Sequence, residues 1–408
     1  MLYIRRDIED AINKYLNARE IAAVVGARQC GKTTMIDNIL RNLDKKGKKI
    51  SRVSFDSIKE LQLFEDDIDS FTELYVKGHD FLFIDEVQYS KDSGKKLKYI
   101  YDNFKIKIFI SGSSAAELSI QSMKYLVGRI FVFTLYPFSF KEFLRAKNPK
   151  LVPIYESGKF KKEITLELNK HLMEFMLYGG FPRVVLAKSI DEKQTILKNI
   201  YNTYLLKEIR EILELSSDYK LINLIKALSL QIGGMLNYNE LSTITGFSYK
   251  ELKNYLNILE KTFICSQIKP FYTNKRIEIA KSPKIYFYDL GFRNISIDNF
   301  SSERADIGSM HENFVFSELV KHDIFPKYWH TKSGAEIDFV IEKEGKVIPV
   351  EVKSNLSKET LAKSFYSFVE KYKPKKGYIT SLSFEGKRKI NNCEIIFIPL
   401  LKLMNYLK

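Results

Sequence analysis

The segment at residues 26–34, GARQCGKTT, constrains the fold of this 408-residue chain more than any other part of its sequence. It follows the apolar run at residues 21–25 and precedes a helical pattern at residues 34–40. The pattern G-x-x-x-x-G-K-[ST] between a strand and a helix is typical of a phosphate-binding loop, whose glycines let the backbone wrap around phosphates. The sequence therefore predicts a strand, a loop and a helix that together bind ATP or GTP.

Each position of this loop has an expected part in nucleotide binding. Lys32 is expected to reach the β- and γ-phosphates, and Thr33 is expected to bind Mg²⁺. The N–H groups at the start of the following helix point at the nucleotide, where the helix dipole favours an anion. The predicted ligands are therefore ATP and Mg²⁺. The predicted nucleotide-binding residues of the loop are Gly26, Ala27, Arg28, Gln29, Cys30, Gly31, Lys32, Thr33 and Thr34.

Two adjacent carboxylates, Asp85 and Glu86, end the apolar run FLFI downstream of the loop. This order is typical of the Walker B element of ATP-hydrolysing P-loop proteins, in which Asp85 would hold the Mg²⁺ shell. Glu86 is expected to orient and polarise the attacking water. Strand-like runs alternate with helical segments around this pair, which predicts an α/β fold with a parallel sheet. The strand-like runs are residues 50–55, 81–84, 106–110 and 129–135.

Three further residues are candidates for sensing or assisting at the γ-phosphate. Ser111 and Ser113 end the next strand, at the sheet edge that faces the ligand in open α/β folds. A turn that caps a helix at residues 115–119 is the alternative. Arg129 is a candidate for stabilising the transferred phosphoryl group, in cis or from a neighbouring subunit. Its alternative is an ordinary ion pair with a surface carboxylate.

Several segments together resemble the archaeal and bacterial AAA-type, STAND-like P-loop ATPases that carry an uncharacterised C-terminal region of the DUF4143 type. The segments are GARQCGKTT, FLFIDE, FISGSSAAEL, LVGR, YPFSFKEF and YGGFPR. The resemblance implies an ATPase core at residues 1–150 and a helical lid or linker at residues 151–217. It also implies that Arg183 acts as a second sensor in the lid. The alternative for the Gly-Gly-Phe-Pro step is an ordinary helix terminator.

Residues 218–295 are predicted to form a winged helix-turn-helix. Asn237 is expected to cap a short helix, residues 245–247 to make the turn, and Ser248 to cap a longer helix with one apolar stripe. Asn274, Lys275 and Arg276 would form a basic tip of the wing. Such a module often reads DNA through its second helix, but the exposed face of this helix carries glutamates beside its lysines. A lid or a protein-contact module is therefore the alternative.

Residues 296–408 contain a second group of candidate functional residues. The alternation of a strand places Glu351 and Lys353 on one face, and a turn joins this strand to another that contains Asp338. Paired carboxylates bind Mg²⁺ or Mn²⁺, and a nearby lysine can assist the hydrolysis of a phosphodiester. An exposed salt bridge between the strands is the alternative interpretation.

This group resembles the core of PD-(D/E)xK nucleases, which is a small α/β domain. The resemblance implies one more acid from the preceding helix, for which Glu312 is the first choice and Glu318 the second. Ile337 stands where the strict motif has proline, which is a mild departure. His330 is a weaker candidate for a phosphate contact near this site. Whether such a domain cleaves nucleic acid is left open by the sequence.

Composition and charge bear on the partners and the location of the chain. The net charge of +15 favours a nucleic-acid partner, with DNA preferred over RNA, but lysines scattered along the whole chain explain the excess equally well. The three cysteines lack the spacing of a disulfide framework or a zinc site. No apolar run reaches the roughly 18 residues of a membrane span, and no signal core is recognised, so a cytoplasmic location without membrane contact is expected.

The sequence thus predicts an ATP-hydrolysing AAA-type ATPase, coupled to a nuclease-like domain that acts on nucleic acid. The alternative is a nucleotide-dependent switch or scaffold whose C-terminal domain is catalytically inert. A protein partner and a homo-oligomer are compatible with both predictions. The expected fold is a P-loop parallel sheet, followed by a winged-helix segment and a small α/β nuclease-like domain.

Overall fold

A computed structural model describes residues 3–112, 124–213, 215, 218–274, 276, 278 and 281–407 of the chain. The chain divides into two compact units. The first unit comprises Met1–Phe138 with Lys261–Phe263, and the second comprises Ser139–Glu260 with Ile264–Lys408. The first unit ends at Phe138, whereas the predicted ATPase core runs to residue 150. The other predicted domain boundaries stay predictions.

The first unit is built on a five-stranded sheet. Its strands are β1 (Ile21–Val25), β2 (Ile50–Ser54), β3 (Phe81–Asp85), β4 (Lys107–Gly112) and β5 (Ile130–Thr134). Its helices are α1 (Glu9–Lys14), α2 (Lys32–Asp44), α3 (Ile58–Asp66), α4 (Ile68–Tyr75) and α5 (Ser93–Asn103), with 3₁₀ turns at Val87–Tyr89 and Lys124–Leu126. The strand order is β2-β3-β4-β1-β5, and every neighbouring pair is parallel. The predicted α/β fold with a parallel sheet is therefore confirmed.

The burial of the strands explains why this sheet forms. All five residues of β1 and all six of β4 are buried, as expected for the centre of a parallel sheet that is covered on both faces. Phe64, Phe71 and Leu97 of the helices pack in one core with residues of β1, β3 and β4. Because all strands are parallel, their carboxyl ends share one edge of the sheet. The phosphate loop, Asp85 and Ser111 consequently lie at the same edge.

The second unit combines helices with two sheets. Its helices up to residue 261 are α6 (Phe140–Lys147), α7 (Leu151–Ser157), α8 (Lys162–Tyr178), α9 (Pro182–Val185), α10 (Ile190–Ile200), a π-helical segment (Tyr201–Ile209), α11 (Arg210–Ile212), α12 (Tyr219–Leu230), α13 (Tyr238–Thr245) and α14 (Tyr249–Lys261). Its later helices are α15 (Leu290–Ser296), α16 (Ile307–Lys321), α17 (Lys363–Tyr372) and α18 (Leu403–Leu407), with a 3₁₀ turn at Leu400–Lys402. Across the described ranges, no helix is both long enough and apolar enough to cross a bilayer.

The strands of the second unit form a hairpin and a mixed sheet. They are β6 (Cys265–Ile268), β7 (Lys284–Phe287), β8 (Lys327–His330), β9 (Glu336–Lys343), β10 (Lys346–Val352), β11 (Lys376–Ser381), β12 (Gly386–Ile390) and β13 (Cys393–Pro399). Strands β6 and β7 pair in antiparallel fashion. The other six have the order β12-β13-β11-β10-β9-β8, with β11 parallel to both β10 and β13. The apolar face of α17, with Phe365 and Phe368, packs with Trp329 in the core of this sheet.

Helices α13 and α14 begin and end where their capping residues predict. The side chain of Asn237 accepts hydrogen bonds from the N–H groups of Asn239 and Glu240, at 3.1 and 3.3 Å. Gly246, after α13, has a φ of +69°. Ser248 and Glu251 exchange side-chain to backbone hydrogen bonds at the start of α14. The predicted helices, the turn and the following hairpin are thus present, while the winged-helix assignment itself stays a prediction.

Candidate functional site

The phosphate loop joins β1 to α2 through backbone conformations that favour glycine. Gly26 has a φ of +156° and Gly31 a φ of +95°. A Cβ atom on Gly26 would lie 2.0 Å from the carbonyl oxygen of Leu135, which directly follows β5. Only glycine therefore fits at position 26. Among the other predicted loop residues, Ala27 and Cys30 are buried, Arg28 is half-buried, and Gln29, Thr33 and Thr34 are exposed.

The side chain of Lys32 is folded back into its own loop. It is only 6% exposed, and its Nζ donates hydrogen bonds to the carbonyl oxygens of Gly26 at 2.9 Å and Ala27 at 3.1 Å. These bonds hold the ammonium group beside the backbone that is expected to surround the phosphates. A bound nucleotide would have to draw Lys32 away from these two carbonyls.

The carboxylate of Asp85 accepts hydrogen bonds from hydroxyl groups on two different elements. Thr33 Oγ1, at the start of α2, donates to Asp85 Oδ2 at 2.9 Å. Ser111 Oγ, on β4, donates to Asp85 Oδ1. A carboxylate and a hydroxyl are the hard oxygen donors that Mg²⁺ prefers, so Thr33 and Asp85 fit an ATP-bound Mg²⁺ ion. The alternative sensor, Ser113, lies outside the described residues, as does the predicted helix at residues 115–119.

Glu86 has an uncommon backbone conformation next to Asp85. Its φ of +54° and ψ of +46° lie in the left-handed region, which costs a residue other than glycine about 1–2 kcal/mol. Its Oε2 atom accepts a hydrogen bond from Nε2 of Gln88. Gln88 therefore orients the carboxylate of Glu86. No pattern in the sequence identified this contact.

Arg6 supports the phosphate loop and was also missed by the sequence analysis. Its guanidinium is buried, donates to the carbonyl oxygen of Cys30 at 2.8 Å and to that of Tyr136 at 2.6 Å, and lies over the ring of Phe138. The loop is thus tied to the segment after β5 by one side chain. The signal in the sequence is a pair of adjacent arginines, Arg5 and Arg6, in a segment without a motif, which is too weak to identify such a role.

Arg129 lies at the opposite end of the sheet from the phosphate loop. Its carbonyl oxygen accepts a hydrogen bond from the N–H of Ile21, the first residue of β1, whereas the loop follows Val25. Strand β1 has five residues, and each adds about 3.3 Å to its length. The two ends of β1, one beside Arg129 and the other at the phosphate loop, are therefore about 16 Å apart. Its Nε pairs with Asp102 Oδ1 at 3.1 Å. The prediction that Arg129 assists its own nucleotide in cis is therefore wrong, and the alternative ion pair is present.

Arg183 is exposed on α9, in the second unit. The preceding helix, α8, ends at Tyr178, and Gly179 follows with a φ of +76°. The N–H of Gly180 donates to Asp289 Oδ2 at 2.7 Å, which fixes the chain after the helix end. The Gly-Gly-Phe-Pro step thus terminates a helix, as the alternative interpretation expects. The role of Arg183 as a sensor stays a prediction.

Four carboxylates of the second unit lie near one another, and we call them the acidic cluster; nearby carboxylates raise the pKa of Glu312, Asp338 and Glu351, in addition to the larger effect of burial. They are Glu312 on α16, Glu336 and Asp338 on β9, and Glu351 on β10. Asp338 Oδ2 accepts a hydrogen bond from the N–H of Val352 at 2.7 Å, which ties β9 to β10. Glu351 Oε1 pairs with Nζ of Lys353 at 2.5 Å. The structure therefore brings together the predicted Glu312, Asp338, Glu351 and Lys353.

Burial and mutual repulsion disfavour the ionised carboxylates of this cluster. Burial raises the pKa of Glu312 to about 7, with a further increase from the charge of Asp338 and an opposing effect from Lys284. Burial also raises the pKa of Asp338 and of Glu351. Because buried like charges destabilise one another, the cluster requires positive charge nearby.

A buried ammonium group, that of Lys284 on β7, already lies in the acidic cluster. Its side chain is 2% exposed, and its Nζ pairs with Glu312 Oε1 at 3.2 Å and with Glu336 Oε1. The hydroxyl of Tyr286 donates to the same oxygen of Glu312. Although burial lowers the pKa of Lys284, the negative charges of Glu312, Asp338 and Glu336 raise it above its usual value. No pattern in the sequence identifies Lys284, because a lysine at the start of a strand is not distinctive.

The arrangement does not fit a divalent metal ion held jointly by Glu312, Asp338 and Glu351. Glu312 is engaged by Lys284 and Tyr286. Within the part of the chain that the structure describes, no group of three or more His, Cys, Asp or Glu side chains is arranged to hold a metal. Glu351 does keep one buried oxygen, Oε2, that has no hydrogen-bond partner among the residues that the structure describes. The predicted set of three acidic ligands is thus incomplete while Lys284 is in place.

The two weaker candidates near this site have other contacts. Oε1 of Glu318 accepts a hydrogen bond from the N–H of Phe140, the first residue of α6, at 3.1 Å. Glu318 therefore caps α6 and does not belong to the acidic cluster. His330 ends β8 directly opposite Glu336 in the register of the sheet. A phosphate contact of His330 stays a prediction.

Three consecutive regions match known sequence families. Residues 18–144 match the family described as AAA domain. Residues 169–303 match a domain of unknown function, DUF8612, and residues 307–403 match a second one, DUF4143. The predicted resemblance to an AAA-type ATPase with a DUF4143 region is confirmed, and the chain carries an AAA-type ATPase domain. The nuclease-like assignment of the C-terminal region stays a prediction.

Relatives of similar length occur in a bacterium and an archaeon. The chain is 27% identical to an uncharacterised protein of Haemophilus influenzae over 394 residues. The matched region covers 93% of each protein. The chain is also 28% identical to an uncharacterised protein of Methanocaldococcus jannaschii over 358 residues. This matched region covers 84% of this chain and 76% of that protein. Among solved structures, AMPPCP-bound DnaA from Aquifex aeolicus aligns at 15% identity over 64% of this chain and 90% of its own, with a TM-score of 0.30.

Proposed function

We propose that the first unit hydrolyses ATP where the phosphate loop meets the ends of β3 and β4. The observation that carries this proposal is the convergence of two hydroxyl groups on Asp85, one from Thr33 and one from Ser111. Three residues that were predicted separately are thus joined by hydrogen bonds at one edge of the sheet. A phosphate loop beside a Walker B carboxylate is the arrangement that P-loop hydrolysis requires.

The residues of the site have distinct roles in the proposed reaction. Lys32 leaves the two loop carbonyls and places its charge on the β- and γ-phosphates. Thr33 and Asp85 hold Mg²⁺, which neutralises phosphate charge when it is bound. Glu86 orients the attacking water and accepts its proton as the bond from the water oxygen to the γ-phosphorus forms. The bond from the γ-phosphorus to the oxygen shared with the β-phosphate breaks in the same step, and ADP leaves with that oxygen. Ser111 keeps the Asp85 carboxylate in the orientation that metal binding needs.

Phosphate release from Mg²⁺-ATP and Mg²⁺-GTP tests the proposal. The wild type is expected to turn over, and Ser111→Ala is expected to lower kcat about tenfold, because a hydrogen bond to a charged group contributes roughly 1.5 kcal/mol or more. Ser51→Ala, at a buried serine on β2, is the matched control and is expected to leave kcat unchanged. A wild type that hydrolyses neither nucleotide would overturn the proposal.

For Arg129, only a role in a neighbouring subunit remains as a proposal. Its guanidinium is about one-third exposed beside Asp102, so a second copy of the chain has access to it. Such a role requires a homo-oligomer. In a monomer, the arginine is expected to act as a structural partner of Asp102 and of the Tyr101 ring.

We propose that the helical region at residues 151–217, with Arg183, is the lid of this ATPase, and that residues 218–295 form a winged helix. The caps of α13 and α14 and the β6/β7 hairpin support the second assignment. The buried stripe of α14 leaves the opposite face of that helix for a partner. Both DNA and a protein surface remain candidates for that partner, and the mixed charge of α14 favours neither.

Two functions remain for the C-terminal region. The first is cleavage of nucleic acid, preferably DNA, by a nuclease-like domain that contains Asp338, Glu351 and Lys353. The second is an inert domain in a nucleotide-dependent switch or scaffold. The buried ion pairs of Lys284 with Glu312 and Glu336 favour the second function, because they occupy one of the acids that the first function needs.

A cleavage assay distinguishes these two functions. The wild type is incubated with single- and double-stranded DNA and RNA, with Mg²⁺ or Mn²⁺, in the presence and absence of ATP. We expect no cleavage above that of Asp338→Asn, since Lys284 neutralises the cluster. Cleavage that Asp338→Asn abolishes would instead establish nuclease activity. Dependence of that cleavage on Lys32, tested with Lys32→Ala, would show that ATP controls it.

A further inference from the structure

We propose that Lys284 is the resident cation of the acidic cluster, and that its ammonium group takes the place of a divalent metal ion there. The ammonium pairs with carboxylates from two different elements, Glu312 of α16 and Glu336 of β9. It is also close enough to Asp338 for the two charges to stabilise each other. A single buried positive charge thus pairs with two carboxylates of the acidic cluster and interacts with the charge of a third.

Both oxygens of the Glu312 carboxylate have close neighbours, which restrict the space for another ligand beside it. Oε1 accepts hydrogen bonds from Lys284 and from the hydroxyl of Tyr286. On the other side, a Cβ atom added to Gly233 would lie 3.0 Å from Glu312 Oε2. A hydrated metal ion next to Glu312 would therefore have to displace the ammonium group.

Lys284 comes from the β6/β7 hairpin, not from the mixed sheet that contributes most of the acids. The hairpin is fixed on α16, because the side chain of Asn313 bonds both the N–H and the carbonyl of Phe287, at 2.7 and 2.9 Å. Tyr328 on β8 also donates to the carbonyl oxygen of Ser282, two residues before Lys284. These contacts hold the lysine in the cluster as a permanent component.

The charges of the cluster predict what happens when Lys284 is removed. Four carboxylates face two ammonium groups, those of Lys284 and Lys353. Without Lys284, only Lys353 remains, and like-charge repulsion among buried carboxylates increases. The unpartnered Oε2 of Glu351 and the oxygens released on Glu312 and Glu336 are then available to a divalent cation. Removal of the lysine should therefore create a metal site.

The test is Mn²⁺ binding to nucleotide-free protein, measured by calorimetry and by thermal unfolding of the full chain. For the wild type, the Mn²⁺ titration is expected to match that of Asp338→Asn, since the cluster takes no metal. Lys284→Met is expected to gain one site that binds Mn²⁺ at least about ten times more tightly than the wild type does. Saturating Mn²⁺ should raise the Tm of this variant by about 5 °C or more, and that of the wild type not at all.

Two further variants show where the ion binds. Lys284→Met combined with Asp338→Asn should lose the new site, because a ligand of the cluster is missing. Lys327→Met is the matched control: Lys327 also bridges two glutamates, Glu278 at 3.0 Å and Glu342 at 2.7 Å, but lies outside the acidic cluster. This control should gain no Mn²⁺ site although it loses the same charge.

Several outcomes would overturn the proposal. One is wild-type Mn²⁺ binding that Asp338→Asn removes, and another is a folded Lys284→Met variant without a new site. If Lys284→Met unfolds without metal, it is refolded with and without Mn²⁺: recovery with Mn²⁺ supports the proposal, and failure to recover counts against it. The assay contains no ATP, so its result is independent of whether the first unit hydrolyses nucleotide.

Discussion

Glu86→Gln is expected to lower kcat for ATP hydrolysis by about 10²–10⁴-fold while ATP binding stays within about twofold of the wild type. The amide keeps the size of the side chain and can still contact Gln88, but it no longer accepts a proton from the attacking water. The loss should therefore fall on the chemical step. Single-turnover phosphate release measures the rate, and titration with a fluorescent ATP analogue measures the binding.

The control for this prediction is Glu73→Gln on α4. Glu73 is exposed and pairs with Lys77 on the surface, so the same change of charge in the same unit should leave kcat unaltered. If Glu86→Gln retains the wild-type rate, the water is oriented by another group, and the assignment of Glu86 fails. If ATP binding is lost as well, the substitution has disturbed the loop.

Gly26→Ala is expected to destabilise the first unit by about 2–5 kcal/mol and to abolish ATP binding. The added Cβ atom would meet the carbonyl oxygen of Leu135 at 2.0 Å, and the positive φ of +156° is unfavourable for alanine. Relief of the clash requires the backbone of the loop or of the segment after β5 to move. Urea unfolding, followed together with nucleotide-analogue binding, measures both effects.

Gly47→Ala separates the clash from the cost of the backbone conformation. Gly47 also has a positive φ, of +81°, but among the described residues other than its chain neighbours no atom lies within 4 Å of its added Cβ. Its substitution should cost only about 1 kcal/mol and leave ATP binding unchanged. Equal stability losses in the two variants would show that the contact with Leu135 relaxes easily, contrary to our expectation.

The nucleotide site was largely predictable because its parts are encoded locally. Gly26, Lys32 and Thr33 occupy fixed positions in one loop, and Asp85 directly follows an apolar strand. Since parallel strands place their carboxyl ends at one edge, local patterns were enough to bring Asp85 and Ser111 to the loop. Helix caps such as Asn237 were predictable for the same reason, as their hydrogen bonds span only a few residues.

Contacts between distant residues were not predictable in this way. Arg6 reaches the loop from the N-terminal segment, and Glu318 caps a helix that lies far from it in the sequence. Arg129 was assigned to the nucleotide because it stands near a strand. The parallel register of β1 and β5 places Arg129 at the amino ends of these strands, whereas the phosphate loop lies at their carboxyl ends. Contacts of this kind depend on how helices and strands pack against one another. The sequence contains no periodic pattern that indicates this packing.

The acidic cluster shows most clearly the difference between features that local sequence patterns determine and contacts that depend on tertiary packing. The alternation of strands by itself determined that Glu351 and Lys353 share a face, and the turn between β9 and β10 brought Asp338 beside them. Only the tertiary structure decided that Lys284 enters this cluster and pairs with Glu312 and Glu336. The physical reason is range: backbone periodicity and capping act over a few residues, whereas the neutralisation of a buried charge depends on whichever distant side chain the packing brings to it.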